Sequence, residues 1–310
     1  MKTNKALLQR IDAAIKAITV GDLGAGILQT EKADRFLRVV QDSTPVLDAA
    51  RFYPMNAPTR DIDRIGFGQR ILTDPATAEA DPVGSVPTVN TNQLVSVEVM
   101  GTVGIRDDTL EDNIEQEAFE DTLLDLVAER TGQDLEELFL AGQVGSGDTF
   151  LNLLNGWIQQ LPAGQQLDGG TADFDAADVE AMLEAMLLQV PPRYRRDRAA
   201  MRYYVSDLVE NDYRNVLRAR GTNLGDQVQT GAQQVAYKGI PLQYSAGVET
   251  ANHSAVLWHP QNTVYGMWRT IRIEPDRLPR QRQTDFIITA RVAATWEDEN
   301  GGVAAVGYTG

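Results

Sequence analysis

The sequence has no cysteine and only two histidines, and each scarcity excludes a kind of chemistry. Without cysteine the chain has no disulfide, no thiolate nucleophile, no zinc ribbon and no iron–sulfur cluster. The two histidines, His253 and His259, leave little room for a Ser–His triad or a multi-histidine metal site. They stand six residues apart, whereas a helical zinc site uses a spacing of four, so we interpret both as ordinary residues. We therefore predict no catalytic residue, no metal, no cofactor and no enzymatic activity.

Positive charge is also scarce. The 310 residues carry 28 Lys and Arg against 44 Asp and Glu, a net charge of −16. This balance excludes a generally basic nucleic-acid coat, because binding to phosphates needs clustered cations. Apolar residues make up 43% of the chain and charged residues 23%, which predicts a packed core in one large domain or two ordinary ones. The sequence contains neither a bilayer-spanning apolar run nor the apolar core of a secretory signal, so we expect the protein to be made in a cytoplasm.

The charge is unevenly distributed. Residues 107–137 hold 13 acids and a single base, Arg130, while arginines cluster in 193–202 and 269–282. Arginine forms bidentate pairs with carboxylates and tolerates partial desolvation, which suits interfaces. This separation favours self-assembly through unlike surfaces, with charge setting the register. Two plainer alternatives remain open, namely ion pairs within one chain and a solvated acidic helix face.

Periodicity predicts a mixture of helices and antiparallel strands, hence an α+β class. Helices are expected at 5–18, 34–40, 109–141, 175–190 (begun by Asp175) and 206–220 (begun by Ser206), and strands within 59–72, 93–106, 200–205, 255–275 and 285–296. Residues 73–92 have no periodicity and are rich in Pro, Ala, Thr, Asp and Gly. Because so long a loop is unusual in a compact domain, we predict a long hairpin whose tip contacts another molecule and becomes protected from protease on assembly. The helix at 5–18 packs either on its own domain or on a neighbour.

The C-terminal third carries a recognisable pattern. Pro260-Gln261-Asn262, then Val264-Tyr265-Gly266, then Arg269-Thr270-Ile271-Arg272-Ile273 follow a predicted strand. Upstream stand Tyr237-Lys238-Gly239-Ile240-Pro241 and, just after the long helix, Asn155-Gly156-Trp157. In this order and spacing the motifs resemble those of the tailed-phage major capsid protein family, over about residues 27–310.

The resemblance implies an HK-ninety-seven-type fold with an N-terminal arm, an extended β-hairpin loop, a long spine helix, and peripheral and axial domains. On this chain the arm would be residues 1–52, the hairpin loop with its adjoining strand 53–106, and the peripheral domain with the spine helix 107–174. The axial domain would be 175–252 and the closing strands of the peripheral domain 253–310. We expect scaffolding to be a separate protein, or residues 1–20 to perform a reduced version of that role.

The resemblance also implies partners. Copies would form the hexamers and pentamers of an icosahedral shell around double-stranded DNA, contacted non-specifically, with portal, scaffolding and decoration proteins as further partners. Some members join subunits through a Lys–Asn bond from the extended loop, but this loop has arginine and no lysine, so we predict a non-covalent shell. As subunit-interface residues we predict Arg60, Arg64, Arg70, Arg193, Arg195, Arg196, Arg269, Arg272, Glu115, Glu117, Glu120 and Asp121.

Two other functions stay open on the sequence alone. An encapsulin-like compartment would have the same fold, and neighbouring genes would distinguish it from a phage shell. A soluble carboxylate-dependent hydrolase is more remote, and rests only on the abundance of acids.

Overall fold

The computed structural model describes residues 44–66, 87–106, 117–171, 173–220 and 235–310. Its α-helices are α1 (Pro45–Ala49), α2 (Glu117–Ala141), α3 (Val179–Gln189), α4 (Asp207–Ala219) and α5 (Ala246–Thr250). Its strands are β1 (Arg51–Pro54), β2 (Thr59–Gly66), β3 (Thr88–Val95), β4 (Val97–Arg106), β5 (Gln166–Asp168), β6 (Arg202–Val205), β7 (Ala236–Tyr237), β8 (Ile240–Tyr244), β9 (Ala255–Trp258), β10 (Thr263–Leu278), β11 (Gln283–Trp296) and β12 (Val303–Val306). The predicted helices at 5–18 and 34–40 lie outside the described residues, and so does most of the predicted loop tip.

The strands form three sheets. The largest has the order β5-β12-β9-β6-β8-β7, the second the order β1-β10-β11-β4, and the third is the β2–β3 hairpin. In the six-stranded sheet β6 runs antiparallel to β9 and parallel to β8. This mixture of helices and largely antiparallel strands confirms the predicted α+β class. Among the described residues, no helix is both long and apolar enough to cross a membrane.

The chain divides into two compact units. The described part of the smaller unit comprises residues 98–106, 117–133 and 269–292, and the rest belongs to the larger unit. In the larger unit, α3 and α4 cover the six-stranded sheet through a core that includes Met182, Leu183 and Tyr203, all fully buried. Trp157, Trp258 and Trp296 are also fully buried there, with Trp258 and Trp296 in edge-to-face contact at 5.3 Å between ring centroids.

The end of the long helix explains one of the sequence motifs. After α2 the chain returns so that the backbone N–H of Trp157 donates to the carbonyl of Phe139 at 2.6 Å, and that of Gly156 to Gly142 at 2.8 Å. A Cβ at position 156 would lie 2.7 Å from the carbonyl oxygens of Phe139 and Leu140, so only glycine permits this approach. The turn thereby satisfies carbonyls that a helix end leaves without partners.

The hairpin differs from its predicted form in its second strand. β2 pairs with β3, in a register that sets Thr59 opposite Val95 and Gly66 opposite Thr88, so the partner strand ends at residue 95. The predicted continuous strand 93–106 is interrupted at Ser96, whose N–H and hydroxyl both bond the carbonyl of Pro58, at 2.9 and 2.8 Å. Beyond this point β4 pairs in another sheet, so its period-two pattern belongs to that sheet and not to the hairpin.

Two helix starts test the predicted caps. α3 begins at Val179, not at 175, because the side chain of Asp178 accepts hydrogen bonds from the N–H groups of Glu180 and Ala181 at 2.9 and 3.2 Å. Asp175 instead accepts from the N–H of Ala177 in the preceding turn. α4 begins after Ser206 as predicted, although the serine side chain makes no capping bond.

Candidate functional site: a subunit interface

One buried carboxylate holds the hairpin to the rest of its chain. Asp298, whose side chain is 6% exposed, forms ion pairs with Arg64 of β2 and with Arg193, the latter at 3.0 Å. The Arg64 side chain is 25% exposed, and its Nη1 also lies 3.5 Å from the Tyr194 hydroxyl. Burial, together with the neighbouring Arg193, lowers the pKa of Arg64, and Glu297 acts in the opposite direction. Asp298 thus ties the hairpin to the segment that follows α3.

The inner face of the hairpin packs against its own chain. Ile62 and Leu94 are buried together with Met55, Val264 and Ala293. Above them, the side-chain amide of Asn92 donates to the carbonyl of Trp296 at 2.8 Å. A two-stranded ribbon alone is marginally stable in water, and here apolar packing and one ion-pair cluster within the chain support it.

The outer face of the hairpin is polar near its base and apolar at its far end. Gln93 donates to Asp61 at 2.8 Å across the strands, and Thr91 donates to Asp63 at 2.6 Å. The next pair, Ile65 and Val89, is directly cross-strand and is 71% and 58% exposed. The far end of the described hairpin therefore exposes an apolar pair.

Arg60 and Arg51 flank an aromatic ring at the start of the hairpin. Their guanidinium carbons lie 4.9 and 5.2 Å from the centre of the Tyr53 ring. Arg60 also donates to the carbonyl of Pro54 at 2.5 Å, and Arg51 pairs with Glu297. Arg60 is therefore exposed but held in place by contacts within the chain.

Arg269 is paired in the smaller unit. Its guanidinium lies 2.9 Å from Glu98, and that of Arg291 lies 3.0 Å from the same carboxylate. The hydrogen bond from Arg291 is the main cause that lowers the pKa of Glu98, and Arg269 adds to it. The pairing of Arg269 across the sheet therefore matches the alternative of ion pairs within one chain.

The remaining predicted interface residues vary in position. Arg196 and Arg272 are exposed, and Arg195 is half-buried. Glu117, Glu120 and Asp121 lie on α2, and Arg70 and Glu115 lie outside the described residues.

One acid of the predicted acidic helix face is buried. Glu136 is 4% exposed and accepts hydrogen bonds from the N–H of Val46 at 3.2 Å and from the Ser245 hydroxyl at 2.9 Å. Burial raises the pKa of Glu136. This carboxyl group connects α2 with the segments at 44–47 and 245, a structural role that the charge pattern did not indicate.

Each histidine makes a local hydrogen bond with the backbone. The Nδ1 atom of His259 accepts the N–H of Gln261 at the start of the short turn Pro260–Asn262. The Nδ1 atom of His253 lies 2.7 Å from the carbonyl of Ala251.

An open groove of about 380 Å³ lies beside the hairpin, between β3 and residues 297–300. Its acids are engaged in part, since Glu297 pairs with Arg51 and Asp298 with Arg64 and Arg193. Asp298 was not among the predicted site residues, and only its position after a buried strand and before a turn distinguishes it in the sequence.

Comparison with known proteins identifies the family. No model of a known protein family matches the chain. A protein of Bacillus subtilis (strain 168) named "Putative prophage capsid protein YqbE" is 32% identical, over 96% of each chain.

Solved structures agree on the fold. A chain of the satellite phage P4 procapsid, whose structure includes the size determination protein, matches with a TM-score of 0.69 at 12% identity, over 99% of this chain and 98% of that one. A chain of the capsid of a native GTA particle matches with a TM-score of 0.60 at 14% identity, over 90% of this chain and 91% of that one. A chain from Mycobacterium phage Adephagia matches with a TM-score of 0.59 at 15% identity, over 85% of this chain and 89% of that one. The chain therefore belongs to the tailed-phage major capsid protein family and has the HK-ninety-seven-type α+β fold.

Proposed function

We propose that this protein forms the hexamers and pentamers of an icosahedral shell that encloses the double-stranded DNA of a tailed phage. The observation that carries the proposal is the capsid relative, 32% identical along nearly the whole chain. The copies would bind one another and assemble in the host cytoplasm. In this role the segments act as arm (1–52), extended loop (53–106), peripheral domain (107–174 and 253–310) and axial domain (175–252).

The proposed shell is held without covalent cross-links. Between Lys32 and Lys238 the sequence has no lysine, so the extended loop has none with which to form an amide bond to asparagine. Arginine occupies the loop instead, and its guanidinium does not form such a bond at neutral pH because it stays protonated. Mature particles boiled in detergent should therefore run as a single band near 34.1 kDa. A ladder of linked subunits would refute the non-covalent shell.

Subunit contacts in this proposal use the predicted charged residues in two ways. Arg196 and Arg272 are exposed and can meet acids of a neighbour directly. Arg64, Arg193 and Arg269 form ion pairs within their own chain. They would therefore contribute to subunit contacts mainly by shaping the surface, and less by direct attraction to a neighbour's acids.

The other partners follow from the shell. A portal, a scaffolding protein and a decoration protein would bind the assembled lattice, and the packaged DNA would be contacted non-specifically. Because its net charge is −16, the chain is better suited to enclosing DNA than to binding it tightly.

Purified protein, with and without co-expressed assembly partners, tests the proposal by light scattering and negative-stain microscopy. Closed particles hundreds of ångströms across are expected. A uniform species of 34.1 kDa under every condition would contradict it and favour the hydrolase alternative. Particles that carry a cargo enzyme and no DNA would favour the encapsulin-like compartment.

A further inference from the structure

The second strand of the hairpin, β3, has one edge that does not face β2. Ser96 donates its N–H to the carbonyl of Pro58 at 2.9 Å, and these two residues continue the β2–β3 register. In an antiparallel pair, residues that exchange hydrogen bonds with the partner strand alternate with residues whose N–H and C=O groups point away from it. Counted back from Ser96, the backbone groups of Val89, Thr91 and Gln93 therefore point away from β2.

This edge is exposed and unpaired within the part of the subunit that the structure describes. β2 and β3 form a sheet of two strands, and no hydrogen bond of the described residues reaches the N–H or C=O groups of Val89, Thr91 and Gln93. All three residues are exposed. A free edge of this kind is a template on which another extended chain can add as a further strand.

The sequence of β3 leaves its edge unprotected. Proteins commonly guard a free edge with charged residues or proline. Residues 88–95 contain neither, although 23% of the whole chain is charged. β2, in contrast, carries Arg60, Asp61, Asp63 and Arg64 within eight residues. An added strand is therefore expected at the edge of β3 and not at that of β2.

The groove of about 380 Å³ follows the same edge. Val89 and Thr91, on the outer face of the hairpin, line it together with Asn90, which strand alternation places on the inner face. Because residues of both faces border one groove, the groove runs along the edge between them. Residues 297–300 form its opposite wall. A third strand would lie between that wall and β3.

We propose that an extended segment of a second copy adds to the free edge of β3 as a third strand, a contact that rests on the shell function proposed above. Copies with a net charge of −16 repel one another, so they approach most easily along a strand without charge. In the opposite wall, Glu297 and Asp298 are already paired with arginines. A head-to-tail arrangement of copies supplies one partner for every such edge. The two-stranded ribbon gains stability from the added strand.

Proline at position 91 tests the edge. Thr91→Pro removes an N–H that points away from β2, so the hairpin keeps its own backbone hydrogen bonds. It also removes the bond of 2.6 Å from the Thr91 hydroxyl to Asp63. Asp63→Pro is the matched control, because it removes the same side-chain bond and an outward N–H from the opposite edge, that of β2. Thr91→Val removes the hydroxyl alone.

The three variants should separate in assembly. Loss of one hydrogen bond per contact should raise the subunit concentration needed for particles at least about fivefold in Thr91→Pro. Asp63→Pro and Thr91→Val should leave this concentration nearly unchanged, and circular dichroism should show all three folded. Equal thresholds for Thr91→Pro and Asp63→Pro, with the wild type assembling normally, would overturn the contact and leave the shell intact.

Hydrogen exchange of the wild type tests the same edge without any substitution. In the unassembled subunit the amides of Thr91 and Gln93 should exchange fast, and those of Asn90 and Asn92, which point towards β2, should exchange slowly. In the particle the amides of Thr91 and Gln93 should become protected. Fast exchange of both amides in the particle would overturn the proposal.

A single thiol identifies the added segment. The chain has no cysteine, so Asn90→Cys places one thiol in the groove, to which a maleimide–benzophenone photocrosslinker is attached. Particles are then assembled from isotope-labelled and unlabelled subunits in equal amounts. Cross-linked peptide pairs of mixed label would support a second copy as the occupant. Pairs of unmixed label alone would assign the edge to a segment of the same chain, and pairs with a scaffolding or decoration protein would assign it to that protein. Either result would overturn the proposal. Absence of wild-type particles under every condition would contradict the shell itself, a failure distinguishable from that of the contact.

Discussion

Asp298 is the residue at which the structure makes its sharpest stability prediction. Its carboxylate is 6% exposed and meets two guanidinium groups, from Arg64 in the hairpin and from Arg193 beyond α3. It also accepts the N–H of Asn300 at 3.2 Å, where the short turn Glu299–Gly301 begins. Asp298→Asn keeps an acceptor for Asn300 but removes the charge, so it isolates the ion pairs from the capping bond.

The two pairs contribute unequally. The Arg193 side chain is 57% exposed, so its pair is largely screened by water and contributes less than about 1 kcal/mol. Arg64 is 25% exposed, and loss of its charged hydrogen bond should cost about 1.5 to 3 kcal/mol. We therefore expect Asp298→Asn to lower the free energy of unfolding by about 2 kcal/mol. Asp298→Ala, which also removes the bond to Asn300, should cost about 1 kcal/mol more.

Denaturant unfolding of the unassembled subunit measures these values, and hydrogen exchange locates them. Exchange in β2 and β3 should accelerate more than in the six-stranded sheet, because Arg64 lies on β2. Glu249→Gln is the control, an exposed acid outside this ion-pair cluster. A double-mutant cycle with Arg64→Met should give a coupling of about 1 kcal/mol or more. A cost for Asp298→Asn no larger than that of Glu249→Gln would refute this account of how Asp298 holds the hairpin.

Three further predictions concern the larger unit. Burial raises the pKa of Glu136, so the folded chain binds the proton more tightly than the unfolded chain, and the free energy of unfolding falls as the pH rises through that raised pKa. Glu136→Gln, measured by urea unfolding between about pH 4.5 and about pH 7, should remove this part of the fall. An unchanged dependence of the unfolding free energy on pH would contradict the prediction. Trp157→Phe should cost about 2 to 3 kcal/mol, because the indole N–H donates to the carbonyl of Thr295 at 3.1 Å in a fully buried site, and a thermal shift of zero would contradict that reasoning. Gly156→Ala should lower the free energy of unfolding by at least about 2 kcal/mol, because its Cβ would lie 2.7 Å from two carbonyl oxygens. Gly147→Ala, with open space around its Cβ, should leave the free energy of unfolding unchanged. Equal effects of the two variants would be inconsistent with the structure.

Local patterns predicted the elements well where one physical cause dominated. Alternating apolar residues identified β4, and the order of acids and bases along 206–220 identified α4, since both signals act within a few residues. The boundaries that failed depended on single hydrogen bonds. Asp178 caps α3 in place of Asp175, and Ser96 interrupts the second strand, because each finds a backbone partner that composition does not reveal.

The partners of the arginines lay beyond sequence reasoning. Arg269 meets Glu98 from 171 positions away, a pairing that depends on the packing of distant strands and not on any local pattern. Arg64 and Arg193 share Asp298, which is distant from both in the sequence. Charge counting could show that arginines and acids were separated along the chain, but only the fold shows which of them meet inside one subunit.

Paired and exposed arginines should contribute differently to assembly contacts. Arginines that pair internally, as Arg64 and Arg269 do, have already exchanged water for a carboxylate and gain less from a neighbour. Those that remain exposed, such as Arg196 and Arg272, keep more of their attraction for a second copy, screened mainly by salt. Because each such contact is weak alone, its effect appears when many copies repeat it in a closed lattice. Assembly should therefore weaken steeply with ionic strength while the unfolding free energy of the subunit, which depends on buried pairs and apolar packing, changes little. A parallel decline of both with salt would contradict the separation of internal and external arginines.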